Sequence, residues 1–316
     1  MKTAARLAPL SASFLLLSGC VFVGADWHDG DRERYKEDFH KSFPLQPGGA
    51  VSVENSNGSI EIMGWEQNTV EINGTKYAST PDLLSDLRVE MSGSASSVQV
   101  RTVRPAEIWH GNAGVRYSLR VPKKVLLDRI SSSNGGIRVE DVEGNANLRS
   151  SNGQIRVTKL TGSLEAGTSN GRIEVRDLNG DANLHTSNGT IDADAEHGSF
   201  EARTSNGRIE ARLMNPSVHR AVKLDSSNGH IELRIDGREV PEVRAHTSNS
   251  SVILYLPAST NARVQARTTH GSITSEFDGL RTAGMRRERE LDGTIGSGGP
   301  LIELESTNGS IKVLRR

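Results

Sequence analysis

Four acidic residues recur at one position of a repeated sequence, and they are the strongest candidates for chemistry in this chain. Glu174, Asp192 and Glu210 are evenly spaced along the chain, and Glu232 follows after a slightly longer interval. Carboxylates held close together can bind a cation or divide the roles of acid and base, as they do in glycoside hydrolysis. Such a column would suit a carbohydrate-active enzyme with a β-helical fold.

Basic neighbours of the same carboxylates favour a structural surface instead. Arg172 and Arg176 lie two residues on either side of Glu174, and Glu210 and Glu232 have basic residues at the same two positions. In a strand, residues two apart share a face, so each carboxylate would be paired with a cation. Charge pairs across strands fix the register and discourage aggregation. We therefore predict a non-catalytic surface, with the enzyme as an alternative.

No other motif in the sequence predicts a catalytic, cofactor or metal site. The Gly-rich stretch 296–299 lacks the lysine and the following helix of a phosphate-binding loop. An acidic cluster with one histidine (Asp26, His28, Asp29 and Asp31) has residue types that can ligate a metal, but nothing fixes their geometry, and a solvated linker is favoured. The chain has 38 basic and 39 acidic residues, and this balance argues against a nucleic-acid partner.

The elements that position these residues come from a pattern, Ser/Thr-Asn-Gly-x-Ile, that occurs ten times with small variations. The interval between copies is constant over the first five regular copies and slightly longer over the next three. A fixed period of roughly 20 residues indicates stacked structural repeats. The asparagines of the regular copies are Asn134, Asn152, Asn170, Asn188, Asn206 and Asn228, with further copies at Asn57, Asn249 and Asn308 and a histidine at position 270.

Apolar residues follow each asparagine at alternating positions. This period of two predicts strands with one buried face. The third residue after the asparagine is β-branched in every copy, and in the regular copies it is Ile137, Ile155, Ile173, Ile191, Ile209 and Ile231. These isoleucines are therefore predicted to form the core.

The residues around each asparagine predict a corner between two strands. A Ser or Thr two residues before the asparagine should point inward, and the asparagine should lie near the interior of the corner. The following glycine would accept a positive φ without a Cβ clash. A second turn is marked by glycines that recur at the same constant interval as the regular asparagines, namely Gly144, Gly162, Gly180 and Gly198.

Two all-β folds fit this unit. Asn-Gly between alternating strands is a hairpin signal, which would give an antiparallel meander. A single-chain parallel β-solenoid (β-helix) of about ten coils with an N-terminal β-cap is favoured. In that fold identical residues stack in register at ~4.8 Å, and asparagine ladders stabilise the stack. A meander gives no reason for one residue type at each position.

The N-terminus predicts export and lipidation. A short basic region and an apolar stretch too short to span a membrane precede Leu17-Ser18-Gly19-Cys20. This sequence resembles the bacterial lipobox, in which the cysteine is lipidated and becomes the mature N-terminus. Cys20 is the only cysteine. An ordinary secretory signal is the alternative. Val21, rather than Asp, favours the outer membrane by resemblance to Gram-negative lipoprotein sorting.

The chain therefore divides into five predicted segments. Residues 1–19 are a lipoprotein signal peptide, and 20–49 are the lipidated cysteine and a polar tether. Residues 50–129 are the first repeat and the N-terminal β-cap, and 130–275 are the regular solenoid. Residues 276–316 are a charged and Gly-rich insertion followed by a terminal coil.

The repeat resembles that of a known bacterial family. The Ser-Asn-Gly-x-Ile-x-Val unit, the segment Tyr117-Ser118-Leu119-Arg120-Val121-Pro122 and the copy at 307–311 are similar to a domain of unknown function with β-strand repeats, often called "putative adhesin". The resemblance covers residues 50–313. It implies adhesion, and related domains are associated with envelope stress. The family offers no catalytic residues.

Together these observations predict a non-catalytic lipoprotein of the cell envelope, anchored to a membrane through its lipid. It would act as a binding, adhesive or structural scaffold that presents flat repeat faces to a protein or glycan partner. A regulatory module of an envelope-stress response is the first alternative, and a β-helical carbohydrate-active enzyme is the second.

Overall fold

The computed structural model describes residues 33–103, 112–237, 239–280 and 289–316. The predicted signal peptide, Cys20 and the cluster from Asp26 to Asp31 lie outside these residues, as does most of the charged run at 286–290. Within the described residues, no helix has the length and apolar character needed to cross a bilayer.

Two long sheets of 13 strands each form the molecule. The strands of the first sheet, in spatial order, are β1 (Tyr35–Pro44), β4 (Thr69–Ala78), β7 (Ala113–Pro122), β3 (Ile60–Trp65), β9 (Ile137–Glu143), β11 (Ile155–Thr161), β13 (Ile173–Asn179), β15 (Ile191–Gly198), β17 (Ile209–Pro216), β19 (Ile231–Ile235), β21 (Val252–Leu256), β26 (Ile311–Arg315) and β23 (Ile273–Ser275).

The second sheet lies opposite the first, and the chain alternates between the two sheets. Its strands, in spatial order, are β24 (Glu290–Ile295), β22 (Ala262–Thr268), β25 (Leu301–Ser306), β20 (Val243–Thr247), β18 (Val222–Ser226), β16 (Phe200–Thr204), β14 (Ala182–Thr186), β12 (Leu164–Thr168), β10 (Ala146–Ser150), β8 (Leu126–Ser132), β2 (Ala50–Asn55), β6 (Ser97–Val103) and β5 (Arg88–Gly93). One short helix, α1 (Pro81–Asp86), and a 3₁₀ turn (Asp278–Leu280) complete the described elements.

Each repeat is one coil, made of a strand of the second sheet, an Asn-Gly corner and a strand of the first sheet. In chain order the ten coils are coil 1 (50–65), coil 2 (126–143), coil 3 (146–161), coil 4 (164–179), coil 5 (182–198), coil 6 (200–216), coil 7 (222–235), coil 8 (243–256), coil 9 (262–275) and coil 10 (301–315). Neighbouring coils pair in parallel, so the predicted parallel β-solenoid is confirmed and the antiparallel meander is excluded.

Equivalent residues stack directly upon one another, as expected for repeats of one length. Ile155 pairs with Ile137 on one side and with Ile173 on the other. The six isoleucines predicted to form the core are at most 2% exposed. A single row of β-branched side chains therefore runs through the interior, where its burial supplies the main stabilising term.

Antiparallel strands close both ends of the stack. At the N-terminal end, β4 pairs with β7, β1 with β4, and β5 with β6. At the other end, β24 pairs with β22. Phe39, Phe43, Val89 and Met91 pack against the N-terminal end of the core. These strands cover core residues that a bare coil would expose.

The polar tether predicted for residues 20–49 is wrong from Tyr35 onward. Residues Tyr35–Pro44 form the ten-residue strand β1, and every second side chain is half-buried. The alternation of apolar and polar residues is not visible in the sequence of β1, because the charged residues Glu37 and Lys41 occupy half-buried positions. Glu37 is paired there with Lys76, whose Nζ lies 3.4 Å from its carboxylate.

The last copy of the repeat lies elsewhere than predicted. The coil predicted as terminal in the chain is not terminal in the stack, because β25 pairs with both β20 and β22, and β26 pairs with both β21 and β23. Coil 10 is therefore inserted between coils 8 and 9. The first coil is similarly enclosed, because β6 and β7 lie outside β2 and β3.

Candidate functional site

From coil 2 onward, the Ser or Thr two residues before each corner asparagine or histidine stabilises the corner through its hydroxyl. We call these residues the inner hydroxyl column. Thr186 Oγ1 donates to the carbonyl oxygen of Gly171 (3.1 Å) and accepts from the amide of Gly189 (3.1 Å). Equivalent bonds recur in the neighbouring coils, for example at Thr204. These hydroxyls are buried as predicted. Most of them both donate and accept within the corner, whereas Ser132 and Thr247 only donate.

The glycine of the Asn-Gly corner is needed for a different reason than predicted. From Gly135 onward these glycines do not have a positive φ. A Cβ on Gly207 would instead overlap the carbonyl oxygen of Gly189 in the preceding coil, and the same collision recurs along the stack. Positive φ values occur at the second turn, where Gly144 (144°) and Gly180 (152°) confirm the predicted turn glycines. Three non-glycine residues also have a positive φ, namely Asp141 (57°), Lys159 (61°) and Asp177 (54°).

The asparagines form one continuous ladder along the corner. Each Nδ2 from Asn134 onward donates to the Oδ1 of the asparagine in the preceding coil at 2.6–2.7 Å, which makes eight bonds from Asn57 to Asn308. The regular asparagines are exposed, so their predicted place in the corner interior is wrong. The buried position belongs to the glycine, because a Cβ there would overlap the carbonyl oxygen of the neighbouring coil. Ser250 replaces this glycine in coil 8.

We expect Asn188→Ala to lower the free energy of unfolding by about 1–2 kcal/mol, because it removes two ladder bonds at an exposed site. Urea denaturation followed by circular dichroism measures the change. The adjacent Ser187→Ala is the matched control and should change stability by less than about 0.5 kcal/mol. Equal effects of the two substitutions would show that the ladder contributes nothing.

A second, outer column of hydroxyls runs beside the ladder. Its members immediately precede the corner asparagine or histidine and are exposed or half-exposed. Among the described residues, no hydrogen bond involves the hydroxyl of any member. The column consists of Ser56, Ser133, Ser151, Ser169, Ser187, Ser205, Ser227, Ser248, Thr307 and Thr269. We call the ladder and this column together the Ser–Asn corner.

The acidic column identified in the sequence lies on the outer face of the first sheet, and Arg residues neutralise it. Asp192 is 2.7 Å from Arg172 and 2.9 Å from Arg176. Glu174 is 3.0 Å from Arg156, and Glu232 is 2.7 Å from its basic neighbour. Glu210 likewise lies 3.1 Å from the arginine two residues before it. The predicted charge mesh is therefore present.

Asp192 is the most strongly engaged of these carboxylates. Burial would raise its pKa, but hydrogen bonds and charge from Arg176 and Arg172 outweigh that effect and hold the pKa below its ordinary value. A carboxylate that is kept ionised and shared between two guanidinium groups is poorly suited to donate a proton. In the described part of the chain, no group of three or more His, Cys, Asp or Glu residues could hold a metal ion.

The depressed pKa of Asp192 predicts how Asp192→Asn depends on pH. Because the folded pKa lies below the unfolded value of about 3.9, the ionised side chain stabilises the fold above that value. The contribution is lost as the pH falls through the folded pKa. We expect Asp192→Asn to cost about 1–2 kcal/mol at pH 7 and the difference from wild type to shrink below pH 4. Urea denaturation at several pH values measures this, and a pH-independent cost would contradict the ion-pair explanation.

Solved structures similar to this chain share little sequence with it. A putative adhesin from Parabacteroides distasonis is 12% identical and aligns over 88% of this chain and 97% of its own, with a TM-score of 0.42. A putative adhesin from Bacteroides fragilis is 11% identical over the same shares, with a TM-score of 0.39. A putative lipid binding protein from P. distasonis is 12% identical over 87% and 96%, with a TM-score of 0.36.

A search of curated proteins finds no match to the chain. The family comparison does match, and it covers coils 1 to 8 together with the N-terminal cap strands that lie between coils 1 and 2. The resemblance inferred from the repeat is thereby confirmed. With residues 49–256 matched, more than half of its length, the chain belongs to the Toastrack DUF4097 family.

Proposed function

We propose that this chain is a non-catalytic binding scaffold of the cell envelope, and that its Ser–Asn corner is the surface that contacts a protein or glycan partner. One observation carries the proposal. The outer hydroxyls make no hydrogen bond within the described chain, whereas the inner hydroxyls donate to backbone carbonyls and the acidic column forms ion pairs. The corner thus offers unused polar groups on a rigid support.

The geometry of the corner suits a partner that is itself regular. One hydroxyl recurs in every coil, and one amide in every coil except coil 9, which has His270, at a spacing of ~4.8 Å. Each ladder amide uses one of its two N–H groups toward the preceding coil and so retains a donor. A ligand that spans several coils would gain from many weak contacts without ordering a flexible loop, because the stack is already rigid.

The carboxylates of the first sheet do not favour the enzyme alternative. A glycosidase needs one carboxylic acid that keeps its proton and a second carboxylate at a fixed separation across the sugar. Here Asp192 and Glu174 both contact arginines, and the pKa of Asp192 is lowered rather than raised. Their role in the proposal is to fix the register of the coils.

Membrane attachment through a lipidated Cys20 is part of the proposal. Tyr35 is the first residue of β1, and the chain between Cys20 and Tyr35 reaches at most about 50 Å when fully extended. The N-terminal cap would therefore be the membrane-proximal end of the rod. Cys20→Ala should abolish acyl labelling in the producing cell and release the protein from the membrane fraction. Persistent labelling of that variant would contradict the anchor.

Binding at the corner is tested with a triple variant, Ser151→Ala, Ser169→Ala and Ser187→Ala. The matched control removes three uncharged polar side chains elsewhere, in Thr158→Ala, Asn183→Ala and Thr274→Ala. Both are compared with wild-type 21–316 on glycan arrays and in crosslinking pull-downs from envelope fractions. We expect at least a tenfold loss of binding for the corner variant only. Equal binding by wild type and corner variant would contradict the assignment of the surface, and no partner in either format would contradict the binding function.

A further inference from the structure

Coil 10 lies between coils 8 and 9, which are consecutive in the sequence. We call the space between these two coils the slot. Its strands β25 and β26 each pair in parallel with a neighbour on both sides, in coil 8 and in coil 9. Coils 8 and 9 therefore have no strand pairing with each other. In contrast, coils 2 to 8 each follow the preceding coil both in sequence and in space.

The inner rows of the slot match one another closely. Val243 of coil 8 and Val264 of coil 9 pair with the same residue of coil 10, and so do Ala245 and Ala266. Thr247 likewise aligns with Thr268 through Ser306. On the second sheet, coil 9 would thus present nearly the same buried residues directly to coil 8 if coil 10 were absent. On the first sheet Ile273 would meet Val252, and the one mismatch would be Ser275 against Leu254.

The connection between coils 8 and 9 is compatible with both arrangements. It runs over residues 257–261 and spans two coil heights in this structure. Residues 217–221 form a connection of the same length and join coils 6 and 7, which are direct neighbours. The length of the connection therefore does not require coils 8 and 9 to lie apart. Coil 10 must be held between them by its own contacts.

A Gly-rich hinge leads into coil 10. Strand β24 remains paired with β22 of coil 9, and residues 296–300 then connect it to β25. Three glycines of the hinge have a positive φ, namely Gly296 (58°), Gly298 (82°) and Gly299 (157°). Glycine accepts these and many other backbone conformations, so coil 10 can change direction relative to a fixed β24.

A small set of contacts stabilises the C-terminal end of coil 10. The side chain of Asp236 is 8% exposed, lies 2.7 Å from Arg212 Nε and is also paired with Arg316. The backbone amide of Arg315 donates to Glu276 (2.8 Å), and its guanidinium lies 5.3 Å from the ring centre of Phe277. Asp236 lies outside the repeat pattern, so the periodicity of the sequence does not identify this contact. The pairing of Arg316 with this nearly buried carboxylate is the contact that release of coil 10 would break.

We propose that coil 10 exchanges between copies of this chain, so that the slot of one molecule accepts coil 10 of a second and the two rods join. A second copy is the occupant because the slot selects this repeat. Asn308 must donate to Asn249 (2.7 Å), and Ile311 must stack between Val252 and Ile273. The joined molecules keep every contact of the single one, so the exchange costs only hinge rearrangement and association.

Joining two rods goes beyond the binding proposed above, and it has a consequence for it. Two Ser–Asn corners in one assembly would engage a regular surface at both ends of the pair. Linked binding sites raise the apparent affinity without new contacts, because the second binding event becomes intramolecular.

Single-cysteine variants test the exchange directly in a Cys20→Ala background. Ile253 and Lys312 are cross-strand neighbours on the exposed face, at a separation that a disulfide can bridge. Purified Ile253→Cys is mixed with Lys312→Cys under mild oxidation, and the covalent heterodimer is quantified on denaturing gels. We expect the heterodimer to accumulate, and Asp236→Asn in both partners to speed it at least fivefold by releasing Arg316.

Three controls make each outcome decisive. A single chain with both cysteines should form an intramolecular disulfide, and its failure to do so would overturn the insertion of coil 10. Lys312→Cys mixed with Thr158→Cys should give no heterodimer above random collision. Asp292→Asn removes an ion pair with Arg263 that lies between β22 and β24 and should leave the rate unchanged. Absence of the Ile253–Lys312 heterodimer while the double-cysteine chain closes would overturn the exchange.

Discussion

Ile173→Asp is expected to abolish cooperative folding of the solenoid. Ile173 is fully buried and stacks between Ile155 and Ile191 in the middle of the first sheet. An aspartate there would place a charge in an apolar row with no cation within the core, at a cost of about 4 kcal/mol or more. Because each coil contacts only its neighbours, the loss should divide the stack into two weaker halves.

The matched control for this substitution is Thr158→Asp. Thr158 lies on the outer face of the same sheet and pairs in register with Arg176 on one side and Glu140 on the other. A new carboxylate there has water and a cation beside it, and Glu140 is itself paired with Arg138. We expect its free energy of unfolding to stay within about 0.5 kcal/mol of wild type. Urea denaturation followed by circular dichroism measures both variants. A cooperative Ile173→Asp transition near that of wild type would show that the residue does not face the core.

Gly207→Ala should be nearly as damaging, although it adds only one methyl group. The new Cβ would overlap the carbonyl oxygen of Gly189. That oxygen accepts from the Thr204 hydroxyl, and the amide of Gly207 donates to the same hydroxyl, so both groups are held in place. The coils must then separate locally, which weakens several bonds at once. We expect a loss of about 3 kcal/mol, at the upper end of the cost of overpacking.

Gly167→Ala is the control that separates this collision from the general effect of removing a glycine. A Cβ at position 167 meets no atom closer than 3.9 Å, and its φ is not positive. Removing backbone freedom from the unfolded chain should make this variant neutral or more stable by up to about 1 kcal/mol. Comparable losses for the two alanines in thermal denaturation would contradict the close approach of the coils at the Asn-Gly corner.

Much of the fold could be predicted from the sequence because the repeat constrains it at every position. The period of two located the strands, and the β-branched residue of each copy located the core. The parallel solenoid followed from the recurrence of one residue type at one site, since only stacking in register brings Ile155 against both Ile137 and Ile173. The inner hydroxyls and the second-turn glycines such as Gly144 were also found by position.

The parts that were missed depend on contacts between distant segments. The spacing from Asn249 to the histidine of the next copy equals the spacing from Asn228 to Asn249, as expected for adjacent coils, so nothing in the period reveals that coil 10 lies between them. The corner glycine was assigned to backbone conformation, because a collision with the preceding coil appears only once the coils are stacked. Strand β1 was taken for a tether because charges occupy its half-buried face.

The candidate surface was only partly predictable. The flanking arginines correctly indicated that the acidic column is neutralised, since their spacing places them on the same face of a strand. The repeat pattern places a Ser or Thr immediately before each asparagine or its histidine replacement, but the lack of partners for these hydroxyls within the described chain could not be inferred from spacing. The exposed asparagine ladder was expected to stabilise the stack, yet its position at the surface depends on the glycine that fills the interior.

The corner presents a hydroxyl in each coil, and an amide in each coil except coil 9, only if the coils stack in register. One distance tests this stacking most directly. Nitroxide labels at Ser133→Cys and Ser227→Cys, in a Cys20→Ala background, lie five coils apart in this structure. Pulsed electron paramagnetic resonance should give a distance of roughly 24 Å between them, at ~4.8 Å per coil. A distance of roughly 48 Å, expected when each repeat adds two strands to one antiparallel sheet, would contradict the solenoid and the binding surface built on it.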